Sequence, residues 1–174
     1  MNITRSQLDL NLKIRRAIIV IYSPDLLKLM GIKITSDIIT DNHINNEQKL
    51  WRHVILNAFE DTRIESIERK PSLNKTSAHY WIVKSEDFDQ ICWWAGWEPD
   101  DVRYRYIKAL KKGDIKFKRK NFLWFEYDKL FKRLKEEKDS IKRRELRRQV
   151  ENKRRQIMLA DNVYVDNFLD EISS

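Results

Sequence analysis

Between Asp128 and Ala160 the chain runs without a single glycine or proline, and Leu, Lys, Arg, Glu and Gln fill most of its positions. Residues of that kind lose little on entering a helix, and nothing in the run stops one. The stretch predicts one long helix over 127–160. The same scarcity holds throughout, because 174 residues contain only three glycines and three prolines. That leaves too few turn-makers for a many-stranded sandwich or barrel. The expected fold is mainly α: a small helical domain containing a helix-turn-helix, followed by a long basic C-terminal helix.

The predicted organisation has four parts. Residues 1–46 hold N-terminal helices and a linker, with Ser23, Pro24 and Asp25 opening a short helix that Gly31 closes. Residues 47–126 form a helical core. Asn45 or Asn46 caps its first helix, in which Trp51, Ile55, Ala58, Phe59 and Thr62 recur on one face. From Arg63 to Lys75, charge together with Pro71 and Asn74 predicts a break. Next come the basic helix at 127–160 and an acidic, apolar tail at 161–174. The six tryptophans are expected mostly in or at the edge of the core, since such side chains bury large apolar areas.

Ser85 to Leu110 carries the most specific local pattern. Ser85 caps a helix with Phe88, Ile91, Cys92 and Ala95 on one stripe, and the last two are small enough for a second helix to cross closely. Gly96 supplies the positive φ of a turn, and Pro99 sits in the first turn of the next helix, where a missing N–H costs nothing. Val102, Tyr106, Ala109 and Leu110 face inward on that helix. Cys92, Gly96 and Val102 stand in the register of a bihelical DNA reader. Arg105 departs from it, since it falls where an apolar residue is usual. A plain helical hairpin meets the same constraints and remains the alternative.

The formal charge is +8 at pH 7, but it is not spread evenly. From Arg103 to Arg155 there are 22 Lys/Arg against 8 Asp/Glu, and the remainder holds 13 against 19. Such local asymmetry is the footprint of a nucleic-acid binder. On the second helix of the hairpin, Asp100, Arg103 and Tyr104 would face base edges. Arg105, Lys108, Lys111 and Lys112 would hold phosphates. Beyond it, Lys116, Lys118, Arg119 and Lys120, and then Arg143, Arg144, Arg147 and Arg148, extend the basic surface. A solvated cationic face is the structural alternative, and Asp100 and Asp101 count against phosphate at the hairpin.

Trp51, Asp61 and Trp81, together with the run S-x-D-F-x-x-x-C-x-x-A-G-x-x-P-x-x-V-R from Ser85 to Arg103, resemble a pattern of small phage, prophage and alphaproteobacterial helix-turn-helix proteins. The likeness spans about Leu50 to Leu110 and leaves the termini uncovered. It implies a mobile-element or viral setting more firmly than an activity.

No chemistry of an enzyme is expected. His43, His53 and His79 lack metal-ligand spacing with one another or with Cys92, and there is no phosphate-binding glycine loop or serine elbow. No cofactor and no metal is predicted. The single cysteine fits a reducing compartment, the longest apolar run is too short to cross a bilayer, and the start lacks the order of a signal peptide, so a cytoplasmic location without membrane contact is expected. The favoured function is a duplex-DNA-binding transcription regulator of phage or mobile-element type. The alternatives are a virion or host-targeting protein whose basic helix binds an acidic surface such as that of RNA polymerase, and an RNA binder.

Overall fold

The computed structural model describes residues 45–160 and 164–165. The expectations for residues 1–44 lie outside the described residues, as does most of the tail. Within the described residues the fold is mainly α: α1 (Asn46–Arg63), α2 (Arg69–Lys84), α3 (Glu86–Ala95), α4 (Pro99–Lys112), α5 (Arg119–Glu136) and α6 (Ser140–Leu159). The chain divides into two compact units. The first comprises the described residues up to Phe59 together with Glu86–Asp114, and the second Glu60–Ser85 together with the described residues from Ile115 onward.

In the first unit, α1 begins as its sequence dictates. The Asn45 side chain accepts from the Gln48 N–H at 2.7 Å, satisfying a donor that the helix cannot. Ile55, Leu56, Ala58 and Phe59 are buried, and Phe59 meets Tyr106 of α4 edge-on at 5.5 Å. Phe88, Cys92 and Ala95 of α3 and Val102, Tyr106 and Ala109 of α4 complete this core. Both helices of the hairpin end on a left-handed glycine, Gly96 at φ 72° and Gly113 at φ 76°. At the first, Gly96 N–H donates to Trp93 O and Trp97 N–H to Cys92 O. At the second, Gly113 N–H donates to Leu110 O and Asp114 N–H to Ala109 O. Each pair is a Schellman closure, which satisfies carbonyls that the last turn leaves open. Arg52 strengthens the first one: its Nε donates to Ala95 O at 2.7 Å, and its guanidinium lies over the buried Trp97 ring.

In the second unit, a buried polar knot joins segments that have no regular structure in common. Asn121, only 2% exposed, accepts from Lys118 N–H and donates to Ser72 Oγ and Ser66 O. The Lys75 ammonium, 2% exposed, donates to Ile64 O at 2.7 Å and Lys116 O at 2.6 Å, and burial pushes its pKa down to about 8. Ile115 and Phe117 are buried while Lys116 is exposed, following the alternation of apolar residues with cations along this stretch. Val165 N–H donates to Phe117 O at 2.9 Å, and Lys118 and Tyr164 form an isolated antiparallel bridge.

Two expected boundaries are corrected. The break predicted over Arg63–Lys75 is confined to 64–68, because α2 already begins at Arg69. Pro71 lies in its first turn, where no N–H is needed. The long helix predicted over 127–160 is two helices. α5 runs from Arg119 to Glu136, the chain turns through 137–139, and α6 starts at Ser140. Asp139 ends the run by capping α6: its carboxylate accepts from Ile141 N–H at 2.7 Å and Lys142 N–H at 3.2 Å. The two helices then pack together, burying Leu146, Val150 and Ile157 of α6 and pairing Lys153 with Glu126 of α5 at 2.5 Å.

Gly96→Ala should destabilise the chain by about 1–2 kcal/mol, the cost of a left-handed L-residue. A Cβ there would meet only the Gln48 and Arg52 side-chain ends, at 3.4 and 3.6 Å. A urea midpoint lowered at constant slope is the expected result. His79, 1% exposed and set edge-on to Phe117, is held down to about 4 by burial, with Lys84 adding to the effect. Unfolded, a histidine titrates near 6.5, so the unfolded chain binds more protons between those values. Stability is therefore full above pH of about 6.5 and falls as pH drops towards 4, by something on the order of 3 kcal/mol. That part of a pH–stability curve should be absent in His79→Gln.

Candidate nucleic-acid interface

The expected basic residues fall in both units, and the units differ in charge. The described residues of the first hold 7 Lys/Arg against 8 Asp/Glu, and those of the second hold 22 against 11. The hairpin expected to read DNA therefore lies in the unit without a cationic excess.

Its arginines are already engaged. Arg103 places Nη2 2.6 Å from Asp89 Oδ1 on α3, lies 4.0 Å from Asp100, and sits over the Phe88 ring. Asp89 Oδ1 is buried and accepts no hydrogen bond of good geometry, so this ion pair is what compensates its charge. Arg105 bonds Asp101 one turn back at 2.9 Å. For Arg103 to chelate a guanine edge, a clasp between α3 and α4 must first open. Tyr104 is 63% exposed with the Lys108 ammonium over its ring, and Lys111 and Lys112 lie exposed at the end of α4. Those last two, at a helix C-terminus, also suit the helix dipole. Of the tryptophans of this hairpin, expected in or at the edge of the core, Trp97 is buried, whereas Trp93 and Trp94 are 59% and 45% exposed, Trp94 resting against Trp51.

In the second unit the extended segment carries Lys116 and Lys118, and the first turn of α5 carries Arg119 and Lys120. Lys116 and Lys118 both place their ammonium groups over the Tyr164 ring, at 5.6 and 5.3 Å, while Arg119 is exposed. Along α5, cations and half-buried rings interleave. Tyr127 stacks on Phe131, with Arg69 over both rings and Lys135 over Phe131, and Lys129 covers Phe125. Arg69 and Lys132 also bind Asp128, whose pKa they lower against the opposing effect of burial.

α6 is different in kind. Arg143, Arg144, Arg147, Arg148, Arg154 and Arg155 are all exposed. Arg155 has Glu151 at 3.9 Å. The other five meet no carboxylate among the described residues. At 3.6 residues per turn all six fall in an arc of about 140°, bordering the stripe of Leu146, Val150 and Ile157 that faces α5. The opposite flank carries Glu145, Gln149, Asn152 and Gln156. Sequence reasoning found Arg143, Arg144, Arg147 and Arg148 but not Arg154 and Arg155, which continue the same rows at i+7 and i+11. Helical phase was the signal that would have added them.

Among the described residues no group of three or more His, Cys, Asp or Glu side chains is placed to hold a metal ion, and no helix is long and apolar enough to cross a membrane. Cys92 is buried, with its thiol pushed up to about 12, by desolvation first and by Asp89 next. No family model, no curated protein and no solved structure matches the chain.

Proposed function

We propose that this chain is a non-enzymatic nucleic-acid-binding protein with duplex DNA as its ligand, acting as a regulator of the phage or mobile-element type. The observation that carries the reading is the set of uncompensated arginines on α6, within a unit holding twice as many cations as acids. A structural helix at a protein surface balances its charges with neighbours three or four residues away. α6 has Glu145 and Glu151 against eight cations, and of its six exposed arginines only Arg155 pairs with one of them. Their mutual repulsion is relieved when a polyanion binds and its condensed counterions are released. The hairpin of α3 and α4 contributes shape and the exposed Lys108, Lys111 and Lys112.

A second reading has one observation of its own. The exposed Trp93 and Trp94 offer apolar area that a nucleic-acid backbone does not need, and aromatic residues of this kind anchor protein partners. Under that reading a stoichiometric protein co-purifies and survives nuclease treatment.

Anisotropy of a labelled duplex, followed across salt concentration, tests the leading reading. If five or six phosphates are neutralised, log K should fall against log salt with a slope of about −5. No binding in low salt would overturn it.

A further inference from the structure

The six exposed cations in the arc of α6 are all arginines, although lysine supplies most of the basic residues elsewhere in the second unit. The two lysines of α6 lie off the arc: Lys153 turns towards α5 to meet Glu126, and Lys142 lies on the far flank. A surface selected only for attraction to phosphate has no need of that segregation, because lysine holds a phosphate as a point charge. Arginine alone offers a planar fork that chelates two acceptors at once, as on the O6 and N7 of guanine or on two phosphate oxygens.

We propose that the arginine arc of α6, rather than the second helix of the hairpin, is the element that discriminates between DNA sequences, by entering the major groove of duplex DNA. This rests on the nucleic-acid reading above. The dimensions agree: a helix with its side chains is about 10–12 Å across, and the major groove of B-form DNA is about 12 Å wide. Arg143 to Arg155 spans about 18 Å at 1.5 Å per residue, which matches about five base pairs at 3.4 Å each. Only one stripe of α6 is committed to α5, so the arc and the flank beyond it are open.

Other nucleic acids fit less well. The major groove of A-form RNA is too deep and narrow for side chains to read. Single strands are held by stacking on aromatic rings, and α6 contains none. On α4, by contrast, Arg103 and Arg105 each spend their fork on an aspartate of the same unit.

The test uses the full chain and a randomised duplex pool. Duplexes selected by the wild-type protein are compared with the unselected pool for three proteins: wild type, the charge-preserving triple variant Arg144→Lys, Arg147→Lys, Arg148→Lys, and Arg103→Lys. All four positions keep their charge, and circular dichroism checks that each variant folds. The triple variant should bind the unselected pool within about twofold of wild type with the same salt slope, and should lose the preference for selected duplexes by about tenfold or more. Arg103→Lys should retain that preference. A triple variant that keeps the full preference, or an Arg103→Lys that loses it, overturns the assignment to α6 while leaving DNA binding intact. Absence of duplex binding by the wild type, or a preference for RNA over both pools, overturns the nucleic-acid reading and this inference together.

Discussion

The buried side chain of Asn121 is where the second unit is held together. It joins the loop at Ser66, helix α2 at Ser72 and the start of α5 at Lys118, and beside it Lys75 ties two backbone carbonyls that no helix or sheet could satisfy. Buried polar groups are costly unless bonded. Here they are bonded to irregular backbone, which fixes the entry of α5 and the extended segment 115–118 ahead of it. α6 packs on α5, so the direction in which its arginines point follows from this knot. A rigid base of this sort keeps a charged face in one geometry instead of spreading it over many.

The distribution of acids is as informative as that of bases. In the first unit each arginine of α4 has an aspartate within reach: Arg103 has Asp89 and Asp100, and Arg105 has Asp101. Such partly exposed pairs contribute little stability, about 0.2–1 kcal/mol each, but they neutralise what a reading helix would present. In α6 the acids are too few: Glu145 lies off the arc, and Glu151, within it, reaches only Arg155. Identical residue types thus serve cohesion on one helix and stand ready for a ligand on the other.

Much of this was legible beforehand. The core face of α1, the Asn45 cap, the small residues and glycine of the hairpin, and the alternation of Ile115 and Phe117 all follow from local spacing, which is why they could be read. The division of the basic run into α5 and α6 was not, because neither Gly nor Pro marks it. Asp139 followed by Ser140 ends a helix and starts another without either, and the run of polar residues between Leu134 and Ile141 marked the same place. Least legible was the engagement of Arg103. Its partner Asp89 lies on the preceding helix, so the pair depends on how α3 and α4 cross and not on any sequence spacing. The proposed DNA-reading role was accordingly assigned by register to a side chain whose guanidinium is occupied.

Which helix touches the ligand decides between α4 and α6 as the reading element. Backbone amide shifts of the full chain, followed while a selected duplex is titrated in, address that directly. Perturbations concentrated on residues 142–156, with the amides of 99–105 unmoved, are the predicted result. Perturbations centred on 99–105 with α6 silent would contradict it.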